Sequence, residues 1–171
     1  RVEPAGVRMQ DGTLHELDVL VLATGFRADR FIRPASVLGR NGKTLDDAWS
    51  VRPTAFNAVT LPDFPNFFML NGPTGPVGNF SLIDIAEAQW KYVDQLIERL
   101  RAGNARAVEP THEAMADYEE KRITAAKKTI FGSGCTSWYL DDTGVPASWP
   151  WTYSKFTETM KKPNLKDFIK I

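Results

Sequence analysis

Residues 64–81 limit what this chain can fold into more than any other stretch. Phe64-Pro65-Asn66-Phe67-Phe68-Met69-Leu70 is an apolar run that stops at Asn71-Gly72-Pro73-Thr74-Gly75-Pro76-Val77-Gly78, and Asn79-Phe80-Ser81 leads into a periodic segment. Phe67 to Leu70 show no alternation, which predicts a strand covered on both faces. Leu82, Ile85, Ala86, Gln89, Trp90, Val93, Leu96, Ile97 and Leu100 follow a 3.6-residue period, which predicts a helix. Ser81 with Asp84 fits the capping-box pattern, and Gly103-Asn104 supplies a stop. A strand, a tight turn and a helix start in that order form a place to hold an anion or the polar edge of a ligand. The first helical N–H groups are free there, and the helix dipole adds partial positive charge.

The rest of the sequence narrows the class. At 171 residues the chain can build one real core. Lys+Arg and Asp+Glu both number 21, so overall charge recruits neither nucleic acid nor a membrane surface. No apolar run reaches the length of a membrane-spanning helix. One cysteine, Cys135, excludes an internal disulfide and suits a reducing, cytoplasmic setting. With two distant histidines it makes no zinc pattern, so no metal site is expected. No G-x-S-x-G elbow or phosphate-binding Walker loop is present.

Before residue 64, Asp11-Gly12 lies between two strand-like runs and predicts a hairpin with a type I′ turn; Asn41-Gly42 predicts a second, smaller one. Asp18-Val19-Leu20-Val21-Leu22-Ala23-Thr24-Gly25-Phe26 contains a second apolar run without alternation, ending in a glycine turn. Trp49, Pro53 and Phe56 read as covering material. After residue 103, Thr111 is the expected N-cap of a helix running towards Lys128, with Met115, Tyr118, Ala125 and Ala126 on its inner face. From Phe131 onward the chain reads as extended or looped and rich in aromatics.

Two strands buried on both faces need neighbours on each side and helices above and below. The layer argument therefore favours an α/β chain that is the C-terminal portion of a larger doubly wound domain, as does the absence of an initiator Met. A small α+β domain that completes its sheet with the hairpins is the alternative.

At Asp18–Phe26 the sequence resembles the Ala-Thr-Gly segment of flavoproteins with two dinucleotide-binding domains, and more narrowly the flavin-containing and Baeyer–Villiger monooxygenases. Trp49, then Phe64-Pro65-Asn66-Phe67-Phe68-Met69-Leu70-Asn71-Gly72-Pro73, then Gly134-Cys135-Thr136-Ser137-Trp138-Tyr139-Leu140 and Trp149-Pro150 are similar to further blocks of that family in the same order. The resemblance implies a Rossmann-like FAD/NAD(P)-binding fold with an aromatic-rich irregular C-terminal extension. Residues 1–26 would end the NADP/FAD domain, 27–63 connect, 64–130 supply the FAD-domain strand and helices, and 131–171 form the extension.

It also implies FAD and NADPH as cofactors and O₂ with a small-molecule ketone as substrates, oxygenated by a C4a-peroxyflavin. An N- or S-oxygenating enzyme acting on a heteroatom substrate is one alternative, and a non-catalytic, flavin-free scaffold is another. Two features the family carries upstream are missing. Gly72, Gly75 and Gly78 give G-x-x-G-x-x-G rather than G-x-G-x-x-G, and neither His15 nor His112 is followed by Trp four positions later. The expectation is that this chain needs an N-terminal portion to work.

Carried onto this sequence, the resemblance puts Asn79, Phe80, Ser81 and Leu82 at the flavin edge, where a helix start steadies the negative charge of reduced flavin. Asn71, Gly72 and Pro73 take the place where related proteins have Gly-Asp; Pro73 replaces the acid, and Gly72 leaves room for close backbone approach. Ala23, Thr24 and Gly25 fall where the FAD and NADP domains meet. Each of these readings competes with an ordinary turn or capped helix. No catalytic residue is assigned: Arg27, Arg30, Arg33, Arg40 and Arg52 match no motif. Trp138, Tyr139, Trp149, Trp151 and Tyr153 read as packing rather than a substrate channel.

Overall fold

Three short strands open the chain: β1 (Val2–Glu3), β2 (Gly6–Arg8) and β3 (Leu14–Glu16), an antiparallel meander in the order β1-β2-β3. The computed structural model describes residues 1–24, 31–76, 78, 80–134 and 139–170. The β2–β3 hairpin forms where Asp11-Gly12 predicts it, pairing Val7 with His15 and Arg8 with Leu14. Its turn is of another type, however. Only Gly12 has positive φ, at 89°, and the Gly12 N–H donates to Met9 O at 3.2 Å. The type I′ geometry belongs to Asn41-Gly42, with φ of 56° and 76°, closed by Lys43 N–H to Arg40 O at 3.2 Å. Asp11 instead spends its side chain locally, accepting from Thr13 N–H at 2.9 Å.

The two doubly buried strands do not form. Residues 18–24 carry no strand pairing, and Val19, Val21 and Leu22 are 75%, 79% and 75% exposed. Phe67 to Leu70 join no sheet and hold on by single bonds, among them Met69 N–H to Val59 O at 2.7 Å. Among the described residues both sheets are antiparallel and no parallel pair exists. The physical reason is the one behind the expectation: a strand with apolar residues on both sides needs neighbours on both edges and faces, and the described residues supply none for 18–24.

The helices carry the core. After the four-residue α1 (Leu45–Ala48) comes α2 (Leu82–Arg101). Ser81 accepts the Asp84 N–H, but the reciprocal half of a capping box is made elsewhere, by Thr44 and Asp47 at the start of α1. The far end of α2 closes as a Schellman turn: Gly103, at φ 69°, donates to Leu100 O, and Asn104 donates to Arg99 O, both at 3.0 Å. Its buried face is Ile85, Gln89, Tyr92, Val93 and Leu96. Leu82 and Trp90, expected on that face, are exposed. Next come β4 (Val108–Pro110) and α3 (His112–Ala126), capped by Thr111 as expected, with Tyr118, Arg122 and Ala126 buried.

The chain beyond Phe131 is less irregular than its composition implies. It contains α4 (Tyr153–Lys161), capped by Thr152, and β5 (Phe168–Lys170), which pairs antiparallel with β4. Phe156 and Met160 point from α4 into the same cluster as Ile85, Val93 and Leu96. Trp149 stacks edge-on against Phe156 at 5.3 Å and against Trp151 at 4.7 Å, so these aromatics are packing. Fully burying a side chain of Phe156's size contributes about 1.5–3 kcal/mol, which is why a nine-residue helix stays formed here. A second cluster gathers Leu45, Trp49, Ala55, Leu61, Phe64 and Met69.

Candidate functional site

The apolar run ends where the backbone reverses. Asn71 takes φ 52° and Thr74 φ 65°, and residues 72–76 are buried. Gly72 is there for space: a Cβ on it would stand 2.4 Å from Ala58 O. Its N–H donates to that same oxygen at 3.1 Å. Gly75 closes the next turn through its N–H to Gly72 O at 3.2 Å and accepts from Trp149 N–H at 3.1 Å.

One side chain joins this turn to the helix start. Asn71 Nδ2 donates to Leu82 O at 3.2 Å. Asn71 Oδ1 is buried without a partner among the described residues. Of the first-turn amides of α2, Asp84 N–H goes to Ser81 Oγ at 3.3 Å and Ile85 N–H to Ser81 O at 3.0 Å. Those of Leu82 and Ile83 are left at residues 49% and 71% exposed. Phe80 packs on Tyr153, ring centroids 5.0 Å apart. With no partner for those two amides among the described residues, they, the dipole and the bare apolar side chains beside them suit a flat ligand with an acceptor edge. The carboxyl of Asp84 in the same first turn offsets part of the dipole, which disfavours a multiply charged phosphate.

Among the described residues the cluster itself carries one titratable side chain, Asp84, with the Tyr153 phenol packed beside Phe80. Burial pushes the hydroxyls of Tyr92 and Tyr118 above the ordinary phenol range, which keeps both neutral. The arginines left unassigned by sequence are engaged: Arg33 pairs with Asp46, Arg40 with Glu109 and Arg52 with Asp141. Arg27 and Arg30 lie outside the described residues. Among the described residues no group of three or more His, Cys, Asp or Glu could hold a metal, and no helix is long and apolar enough to cross a membrane.

The structure thus brings Asn71, Gly72 and Pro73 together with Phe80, Ser81 and Leu82. Ala23 and Thr24 are exposed in the unpaired segment, with no hydrogen bond to that cluster. Gly25 and Asn79 lie outside the described residues. One residue of the site escaped sequence reasoning. Gln89, fully buried on α2, accepts the Asn71 N–H on Oε1 at 2.6 Å and donates from Nε2 to Ala58 O at 3.2 Å. The only signal for it was a polar residue on an otherwise apolar helical face.

No family model matches the chain. Individual proteins do. It is 44% identical over 154 residues to an uncharacterised monooxygenase of Mycobacterium tuberculosis, covering 90% of this chain and 31% of that protein. An FAD-binding monooxygenase of Aspergillus niger is 34% identical over 175 residues, covering 99% of this chain and 29% of that one. A Baeyer–Villiger monooxygenase of Streptomyces coelicolor is 32% identical over 161 residues, covering 92% and 31%. The chain is homologous to FAD-binding and Baeyer–Villiger monooxygenases. A solved structure, cyclohexanone monooxygenase from Rhodococcus sp. Phi1 bound to NADP⁺, superposes with a TM-score of 0.80 at 32% identity, over 97% of this chain and 32% of that one. The chain spans about a third of the length of these monooxygenases.

Proposed function

We propose that this chain is the C-terminal portion of an FAD- and NADPH-dependent monooxygenase of the Baeyer–Villiger type, acting on a ketone in the cytoplasm. The observation that carries the reading is the Asn71 Nδ2 to Leu82 O bond, which fixes the glycine–proline turn against a helix start whose first two amides have no partner among the described residues. Homology over nine-tenths of the chain supports it. Bound FAD, reduced by NADPH, would supply the oxygen-activating chemistry. Leu82 and Ile83 would offer N–H donors to the flavin's acceptor edge, and Gly72 would allow backbone approach. Phe80 and Leu82 would keep water from the ring. Asn79 and Pro73 would flank those contacts, and Ala23, Thr24 and Gly25 would face the NADP side.

The bare apolar run at 19–22 supports the fragment reading. It has the composition of a central strand whose neighbours residues outside this chain would supply. In that arrangement residues 1–26 end one dinucleotide-binding unit, 27–63 connect, 64–130 complete the flavin side and 131–171 cover it.

The test is to express the complete reading frame, record its visible spectrum, and follow NADPH consumption in air with a ketone, an amine and a sulfide. Bound flavin and a ketone product one oxygen heavier are expected. Oxygenation of the amine or sulfide alone would move the protein to the N- or S-oxygenating class, and a colourless protein would sink the flavin reading in favour of a scaffold. The 171-residue chain by itself is expected to take up no stoichiometric FAD, because it has no G-x-G-x-x-G turn for the ADP half.

A further inference from the structure

Gln89 sits two turns into α2, 0% exposed, among Ile85, Tyr92, Val93 and Leu96. A primary amide in such a place is costly unless both ends are bonded. Both ends go to backbone, and both backbone partners are unusual. Asn71 and Ala58 are non-glycine residues in the left-handed region, at φ 52° and 59°. Such residues persist only where their surroundings hold them. Gln89 Oε1 takes the Asn71 N–H, and Nε2 gives to Ala58 O, which also receives the Gly72 N–H. Asn71 then reaches back to Leu82 O at the start of the same helix. The middle of α2, two left-handed turns and the first residue of α2 thus form one closed hydrogen-bonded circuit.

We infer that Gln89 is a positioning residue for the ligand-binding turn: it fixes Asn71-Gly72 relative to the first amides of α2 and so sets the geometry in which a flavin edge is held. The inference rests on the flavin reading above. The two ends of the amide are not equivalent. Without Nε2, Ala58 O keeps its bond from Gly72; without Oε1, the part-buried Asn71 N–H loses its acceptor. The acceptor half therefore carries the effect. Glu at this position keeps that half, and when buried it takes up a proton and presents the same acceptor and donor pair. Met keeps the length and loses both.

The experiment compares wild type, Gln89→Met, Gln89→Glu and Val93→Ala in the protein expressed from its complete reading frame. It reads peptide-resolved hydrogen exchange over residues 69–76 and the Kd for FAD. Leaving the Asn71 amide unpaired should speed exchange over 69–76 and weaken FAD by about tenfold or more in Gln89→Met. Gln89→Glu should return both to within about threefold of wild type, since the acceptor is restored. Val93, one turn further along the same buried face, is the control for plain loss of packing. Val93→Ala should lower the melting temperature yet leave the FAD Kd within about twofold, because it touches no bond of the circuit. Unchanged exchange at 69–76 in Gln89→Met, or an equal loss of FAD in Val93→Ala, would overturn the inference. A wild type that takes no FAD while Gln89→Met still frees 69–76 would overturn the flavin reading and support the anchoring of the turn.

Discussion

Replacing Gly72 with Ala adds one methyl group at the most crowded point of the candidate site. The new Cβ would stand 2.4 Å from Ala58 O, with Ala58 C and Met69 Cβ both at 3.1 Å. Real Cβ contacts do not fall below 3.0 Å, so the two backbone segments must separate by at least 0.6 Å. Ala58 O accepts from Gly72 N–H at 3.1 Å and from Gln89 Nε2 at 3.2 Å, and that opening takes both bonds out of range. Two net hydrogen bonds are worth about 2 kcal/mol, and forcing an extra carbon into a packed site costs about 1–3 kcal/mol more. Against this, Ala stiffens the unfolded chain relative to Gly by about 0.4–1 kcal/mol. The expected loss is therefore about 2–4.5 kcal/mol, a large share of the ~5–15 kcal/mol that holds a typical domain.

Urea unfolding followed by tryptophan fluorescence reads this as a lower midpoint with an unchanged slope. Gly42→Ala is the matched control. Gly42 has φ 76° and nothing within 4 Å of a Cβ, so it suffers the left-handed penalty alone, about 1 kcal/mol. The reasoning is refuted if Gly72→Ala lies within 1 kcal/mol of wild type, or if the two glycine variants cost the same.

Three further perturbations address other parts of the chain. Arg122 is fully buried, binds both oxygens of Glu119 at 2.6 and 2.9 Å and donates to Pro146 O at 2.8 Å. Arg122→Met should cost towards the lower end of the ~3–5 kcal/mol seen for a broken buried pair, since Glu119 keeps some contact with water, and adding Glu119→Gln should recover part of it in a double-mutant cycle. Burial pushes the Asp141 carboxyl up, but bonds from Thr143 and Arg52 and the amides of Val145 and Thr143 outweigh it and hold it below the usual carboxylate range. Its stabilisation is present above the unfolded-state pKa and lost as pH falls through the folded one; Asp141→Asn should flatten the stability curve below about pH 4, as measured by urea midpoints across pH. Val21, 79% exposed, should tolerate Lys in the 171-residue chain with a change within about 0.5 kcal/mol, whereas Val21→Lys in the protein from the complete reading frame should lower the melting temperature sharply if 19–22 is a central strand there.

What could be read from sequence divides along physical lines. Local signals were legible because they need only a few neighbours: Ser81 and Thr111 as caps, Gly103 as a stop, Asp11-Gly12 and Asn41-Gly42 as turns. Even here the turn type at Asp11 was hidden, because Asp11 bonds its own loop instead of entering the left-handed region. Helix α4 was hidden by composition. Its cap at Thr152 and the Phe156–Met160 spacing were present, but they lay in a stretch of tryptophan, proline and glycine that reads as loop. The run at 19–22 taught the reverse lesson. Its pattern states a requirement for partners, and a requirement is not a structure: within the described residues nothing meets it.

The site follows the same division. Its two halves, the turn at 71–73 and the helix start at 80–82, were each legible from glycine, proline and the cap. Their attachment was not, because it runs through side chains that contact backbone 11, 18 and 31 residues away. Periodicity treats Gln89 as one more inward position, yet its amide bonds the inner face of α2 to both left-handed turns. An aliphatic residue there would satisfy the helical pattern and fill the space, and would leave the Asn71 N–H without an acceptor. A buried polar residue on an apolar face, bonded at both ends to strained backbone, is therefore the place where the demands of packing and of ligand geometry come apart. That is why Gln89 and Val93, neighbours on one face with the same burial, are expected to respond so differently to removal.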